Sequence, residues 1–173
     1  AAAALADRQE QNATLFKQKN VLLVAGLANE DESLSAEEVA DRFAPITQLI
    51  VDVATGDVVE GVDAATYDQR VAAVDPARSW VAPANPARVM RVPNQAAVYE
   101  VRDPSGALEM VAVPIEGLGL WGTLYGFIAL EGDLRTVRGL TFYEHKETPG
   151  LGGEVDNPSW KALWRGRLAF DDD

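Results

Sequence analysis

Residues Gly139–Trp164, GLTFYEHKETPGLGGEVDNPSWKALW, contain the change of character around which the chain is organised. The stretch opens with Leu140-Thr141-Phe142-Tyr143, whose β-branched and aromatic content suits a strand. It then breaks into Glu147-Thr148-Pro149-Gly150-Leu151-Gly152-Gly153. Pro149 fixes one φ angle, and the glycines permit backbone shapes closed to other residues. A loop of this composition can bring main-chain amides against a flat ligand, with Glu147, Thr148 and Leu151 as the side chains on offer. The same punctuation also serves ordinary strand-to-helix connections. After it, Asn157 caps and Pro158 takes the first position of a short helix running through Trp164. Trp160 and Trp164 share one face of that helix, and a core role is expected for both.

Working upstream, Thr123 to Leu130 and Arg135 to Tyr143 read as a hairpin across Glu131-Gly132-Asp133. A second hairpin joins Ala96–Arg102 to Ala107–Val113 around Asp103-Pro104-Ser105-Gly106, the residue order that a type I turn prefers. Between the hairpins, Pro114 to Gly122 changes character, alternating glycines with large apolar groups and ending in Leu120-Trp121-Gly122-Thr123. An aromatic flanked by glycines either offers an open face to a planar ring or fills a sheet corner as core. Hairpin geometry predicts that Trp121 and Thr148 lie close together in space.

The N-terminal part reads as a helix over Asp7–Ala25 with Gly26 as its stop and a partial apolar stripe of Leu15, Leu22 and Ala25. Ser35 and Glu38 form a capping box, with Leu34 and Val39 as its staple, and Pro45 limits the helix that follows. Ile46–Val53 is strand-like, Ala54-Thr55-Gly56-Asp57 turns the chain toward a short strand at Val58-Val59, and Tyr67–Val74 forms a brief helix. Pro76 to Pro93 suggests an irregular surface excursion carrying Arg78, Arg88 and Arg91, either solvated or facing a partner. Arg167–Phe170 reads as a strand before the acidic end Asp171-Asp172-Asp173. Together these elements predict an α+β single domain: a mainly antiparallel twisted sheet, an N-terminal helix and short flanking helices.

Bulk properties exclude several functions. A chain of 173 residues is long enough for a real core, and its net charge of −12 argues against nucleic acid, which needs a basic footprint. No cysteine is present, and no apolar run reaches the ~20 residues of a membrane helix. Ala1-Ala2-Ala3-Ala4-Leu5-Ala6 reads either as the trailing end of a trimmed apolar segment or as a cloning scar. His145 is the single histidine, which excludes a His-rich metal site. No G-x-S-x-G is present, and Gly117-Leu118-Gly119 lacks a third glycine in phase for a dinucleotide-binding turn. Glu144, Glu147 and Glu154 form a loose carboxylate group that surface solvation explains.

The run Glu147-Thr148-Pro149-Gly150-Leu151-Gly152-Gly153-Glu154, followed by Asn157-Pro158-Ser159-Trp160, resembles the hallmark of the FMN-bearing C-subunit of the Na+-translocating NADH:quinone reductase. The Gly119-Leu120-Trp121 sequence matches a second feature of that family, and the similarity covers nearly the whole chain. The related G-subunit of the Rnf electron-transport complex shares the ETPG portion. The resemblance implies an FMN-bearing domain on the periplasmic side of the bacterial inner membrane, relaying single electrons. Residues 1–26 would be a membrane-proximal helix and 27–173 the FMN-binding domain, whose partners are other subunits of the same membrane complex. Cofactor contacts carry over to Leu120, Trp121, Gly122, Thr123, Glu147, Thr148, Gly150, Leu151 and Gly152. In this implied site Thr148 bonds the flavin edge, Leu151 and Trp121 shield the ring, and Glu147 biases its charge. The family attaches FMN to a threonine in a Ser-Gly-Ala-Thr type motif downstream. Ser105-Gly106-Ala107-Leu108 and Asp63-Ala64-Ala65-Thr66 do not match it, so no attachment residue is assigned within this chain. A cofactor-free periplasmic interaction domain is the alternative of another class.

Overall fold

Four strands in a meander dominate the computed structural model, which describes residues 2–170, so the acidic end at 171–173 lies outside the described residues. They are β4 (Gln95–Arg102), β5 (Leu108–Leu118), β6 (Thr123–Glu131) and β7 (Val137–Glu144). With β1 (Thr47–Asp52) added beside β4, they form one antiparallel sheet in the order β1-β4-β5-β6-β7. Side chains alternate across it with the period of two that a strand imposes. Ala97 and Tyr99, Met110 and Ala112, and Phe127 and Ala129 all point to one face and are buried. Tyr99 sits at the centre, edge-on to Phe43 at 6.2 Å and to Phe127 at 5.8 Å.

Helix α1 (Ala2–Ala25) lies across this face. Val21, Leu22, Val24 and Ala25 are all buried in the core, so its C-terminal half belongs to the domain rather than standing apart from it. The alanines of the sheet let the helix approach, and the tightest point is Gly139 of β7. A Cβ there would collide with the carbonyl of Val24. The expected stop, Gly26, adopts φ +72°, the left-handed shape that glycine tolerates at a helix C-terminus. Among the described residues no helix is long and apolar enough to cross a membrane. Helix α2 (Ala36–Phe43) opens on the expected capping box: Glu38 N–H donates to Ser35 Oγ at 3.2 Å and Ser35 N–H to Glu38 Oε2 at 2.8 Å. Its Val39 is fully buried.

The type I turn at Asp103–Gly106 forms as read, with Gly106 N–H donating to Asp103 O at 2.9 Å. Four sequence expectations are corrected. Val58-Val59 is a single bridge to Val51 rather than a strand. Pro76–Pro93 is not wholly irregular but holds β2 (Ser79–Val81) paired with β3 (Arg91–Pro93). Arg91 ties the two together, donating to Ser79 Oγ at 2.8 Å and to Ser79 O at 2.7 Å, a pairing between distant residues that local composition does not show. Strand β7 begins at Val137, not Arg135, because Asp133 Oδ1 captures the N–H groups of Arg135 and Thr136. Arg167–Phe170 reduces to one bridge between Leu168 and Thr136. Helix α3 (Gln69–Val74) is capped by Asp68 and packs beside β3 and β4.

Because α1 rests on a glycine at β7, G139A should lower the unfolding free energy by about 1–3 kcal/mol. Urea denaturation would show this as a lower midpoint with an unchanged m-value.

Candidate functional site

The β5–β6 ladder ends on the pair Leu118–Thr123, which leaves Gly119–Gly122 as the tip of a tight turn closed by Gly119 N–H to Gly122 O at 2.8 Å. Tyr125 of β6 pairs with Glu144, the last residue of β7. The loop that leaves β7 therefore starts beside that tip. Sheet register alone brings the two glycine-bearing segments to one end of the sheet, as hairpin geometry predicts.

Glu147 joins them. Its Oε1 accepts the Trp121 N–H at 3.1 Å. The carboxylate fills the space against Gly119 and Gly152, where a Cβ on either glycine would strike it. Glu147 is held from behind: its own N–H donates to His145 Nδ1 at 3.2 Å. His145 Nε2 lies 2.9 and 3.0 Å from the Asp156 carboxylate oxygens. With Nδ1 accepting, the proton of a neutral ring sits on Nε2 and is given to Asp156, a tautomer assigned from this network. Asp156, His145, Glu147 and Trp121 thus form one line of contacts across three chain segments.

The rest of the loop closes on itself. Thr148 O accepts the N–H groups of Leu151 at 3.1 Å and Gly153 at 3.0 Å, and Gly150 takes φ +79°. A 3-10 turn (Gly152–Asp156) leads to helix α4 (Pro158–Ala162), capped as expected by Asn157 Oδ1 accepting Ser159 N–H at 2.9 Å. Trp160 packs on Phe142 at 6.5 Å and on Trp164 at 5.6 Å. Both tryptophans stand outside the main core, contrary to expectation, because they lie over the sheet face that α1 does not cover.

Of the residues singled out from sequence, Leu120, Trp121, Gly122 and Thr123 form the tip and the first residue of β6. Glu147, Thr148, Gly150, Leu151 and Gly152 form the facing loop. Leu120 is 75% exposed, Trp121 62% and Leu151 70%, so their apolar surface is available to a ligand rather than buried as core. The Thr148 hydroxyl has no partner among the described residues. An open apolar surface with an uncommitted hydroxyl and close-lying glycine backbone fits a flat ring with a polar edge. The Glu147 carboxylate is engaged with both loops, accepting the Trp121 N–H and resting against Gly119 and Gly152. The loose carboxylate group also dissolves into separate tasks. Glu144 takes both ends of the Arg70 guanidinium at 2.7 and 3.1 Å, and that bond holds its carboxyl below the ordinary range. Glu154 accepts from Asn157 Nδ2 at 2.9 Å. Among the described residues no group of three acidic, histidine or cysteine side chains could hold a metal. Sequence reasoning missed His145 and Asp156 as partners, since no fixed spacing announces a contact made through a turn.

Residues 119–171, which include both loops, match the family model described as an FMN-binding domain. This match places the segment that carries both loops in the FMN-binding class. The NqrC crystal structure from Shewanella oneidensis superimposes with a TM-score of 0.81 and 36% identity, covering 95% of this chain and 73% of that one. A second crystal structure, the C-subunit of the Na(+)-translocating NADH-quinone reductase from Parabacteroides distasonis, gives a TM-score of 0.69 at 25% identity, covering 96% and 71%. The corresponding C-subunit from Pseudomonas aeruginosa is 46% identical over 174 residues, covering 99% of this chain and 66% of that protein. The chain belongs to this family, the C-subunits of the Na(+)-translocating NADH-quinone reductases. It spans about two thirds of the length of the curated relatives it matches.

The Glu147 clamp makes a definite expectation. E147A should release the 119–122 tip, and G152A should do the same by taking the carboxylate's place. In fluorotryptophan-labelled protein, the Trp121 resonance (assigned with W121F) should narrow and move toward the free amino acid in both variants. Global stability should fall by no more than about 1.5–3 kcal/mol, the scale of one hydrogen bond to a charged group.

Proposed function

We propose that this chain binds FMN across the 118–123 and 147–152 loops and serves as the flavin-carrying subunit of a sodium-pumping NADH-quinone reductase. The observation that carries the reading is the Glu147 clamp. Within the segment matching the FMN-binding domain, it locks an exposed indole, two exposed leucines and a free hydroxyl at one end of the sheet. The flavin, when bound, supplies electron transfer, taking up and passing on electrons singly. The protein's own part is placement. Leu120, Trp121 and Leu151 cover the ring and keep water from it, and the Thr148 hydroxyl meets a polar edge. Glu147 fixes the spacing between the two loops from behind. Such a role asks for no acid or base in the protein, since cofactors of this kind carry the hard chemistry themselves.

The rest of the assembly follows in the same reading. The exposed N-terminal half of α1 leads toward a membrane on the periplasmic side, while its C-terminal half packs into the flavin domain formed with residues 27–173. Other subunits of the reductase are the electron donors and acceptors. The names of the relatives support membership of such an assembly, and the FMN-binding match supports a flavin-carrying domain.

Titration of FMN against the protein, followed by quenching of flavin emission, tests the site. W121A should weaken binding about tenfold, the measure of one lost aromatic contact. T148V should weaken it about three- to tenfold, as expected for one neutral hydrogen bond. Affinity unchanged in both variants would remove FMN from these loops.

A further inference from the structure

A cavity of about 480 Å³ opens on the inner face of the sheet, and no residue of the two flavin-site loops lines it. Its origin is legible in the strand pairing. The β4–β5 ladder stops at Tyr99–Ala112, and Pro114, which has no N–H to give, stands where the next rung would form. The ladder from β5 to β6 continues past Pro114 without a break. Strand β4 therefore parts from β5, and the gap is roofed by α1 and walled by α3 and β3.

The floor is aromatic. Tyr99, Phe127 and Tyr143 form a continuous tier, with ring centroids 5.8 Å apart for Tyr99–Phe127 and 5.4 Å for Phe127–Tyr143, and Phe16 of α1 meets Tyr143 from the roof at 5.8 Å. Tyr99 is 1% exposed and lines the cavity, yet its hydroxyl has no hydrogen-bond partner among the described residues. Tyr67, on the same wall, differs: its hydroxyl donates to Gln95 O at 2.7 Å. The hydroxyl is not sealed into the core but keeps surface open to the cavity, where a carbonyl can accept from it. Burial pushes the Tyr99 phenol well above its ordinary range, so the group stays protonated and offers a donor.

The charges around the cavity narrow the choice further. Arg70 is held by Glu144 and lies 3.6 Å from the Tyr125 ring centroid. Arg91 is bound to Ser79, and Asp68 caps α3. Lys17 and Glu116 remain, one of each sign, with no hydrogen bond among the described residues; burial raises the Glu116 carboxyl and the nearby Arg70 charge opposes that. No net uncommitted charge is left to attract an ion.

We infer that this cavity is a second ligand site, which takes a small uncharged aromatic carbonyl compound. The ring lies among Tyr99, Phe127 and Tyr143, and the carbonyl oxygen accepts the Tyr99 hydroxyl. The volume lies within the ~300–1,000 Å³ usual for small-molecule pockets. A ligand there touches α1, the sheet and α3 together.

Benzophenone is a suitable probe, being a neutral aromatic ketone that inserts into nearby C–H bonds under ultraviolet light. Calorimetry of the protein with benzophenone should show saturable binding, and photolabelling should mark peptides containing Tyr99, Phe127 or Tyr143. Y99F, which removes a hydroxyl that makes no bond in the protein, should weaken binding about three- to tenfold without loss of folding. A13W, at an exposed α1 position on the cavity wall, should block binding and labelling. W121A should bind benzophenone like the wild type, which keeps this result separate from that for the flavin loops. Absence of saturable binding up to the solubility limit would overturn the assignment. Equal affinity in Y99F and A13W, or label on peptides carrying Trp121 or Leu151, would overturn it as well.

Discussion

The pairing of β5 with β6, which runs without a break, and of β6 with β7, which bulges at Tyr125–Gly126 and Ala129–Leu130, is the constraint on which the molecule depends. Each rung fixes where the next residue falls, so the end of one hairpin and the exit of the next strand arrive together. Nothing in either loop has to find the other by diffusion through a long search. The loops are delivered side by side, and a single carboxylate then suffices to join them. Glu147 is well suited to that task because it can reach a backbone N–H on one segment while resting against glycine on both. Glycines at 119 and 152 are needed for the room they leave, not for unusual backbone angles.

The same sheet serves two different ends. Its inner face carries the core, where alanines at 97, 112 and 129 alternate with Tyr99, Met110 and Phe127 and leave a shallow bed for α1. Its far end carries the exposed apolar side chains of Trp121, Leu120 and Leu151, which a freely soluble surface would not place together. A packed helix on one side and an open apolar rim at one end are compatible because strands alternate and loops do not. Where β4 parts from β5 at Pro114, the core itself gives way to a cavity. Pro114 has no N–H to continue the ladder, and the Ala97 N–H goes to Gln69 Oε1 instead.

The local elements were largely legible in the sequence. The capping box at Ser35–Glu38, the Asp103–Gly106 turn, the Gly26 stop and the Asn157–Pro158 helix start each rest on residues within a few positions of one another. The short β2–β3 pair was not legible, since Arg91 reaches Ser79 across the length of an intervening loop. Nor was the exclusion of Trp160 and Trp164 from the core. Helical spacing says that they share a face but not which side of the sheet that face meets.

For the candidate site the division is sharper. Sequence alone determined which residues are present at the two corners, that glycine loosens both, and that alternating strands carry the chain between them. It also carried the family resemblance, because a motif is a property of order along the chain. Only the tertiary structure decided that Glu147 turns inward to hold the Trp121 turn, that Asp156 and His145 stand behind it, and that Arg70 claims Glu144. These choices turn on distances between groups far apart in the chain. A carboxylate's partner is set by what the fold brings within about 3 Å of it, and residue order does not encode that distance.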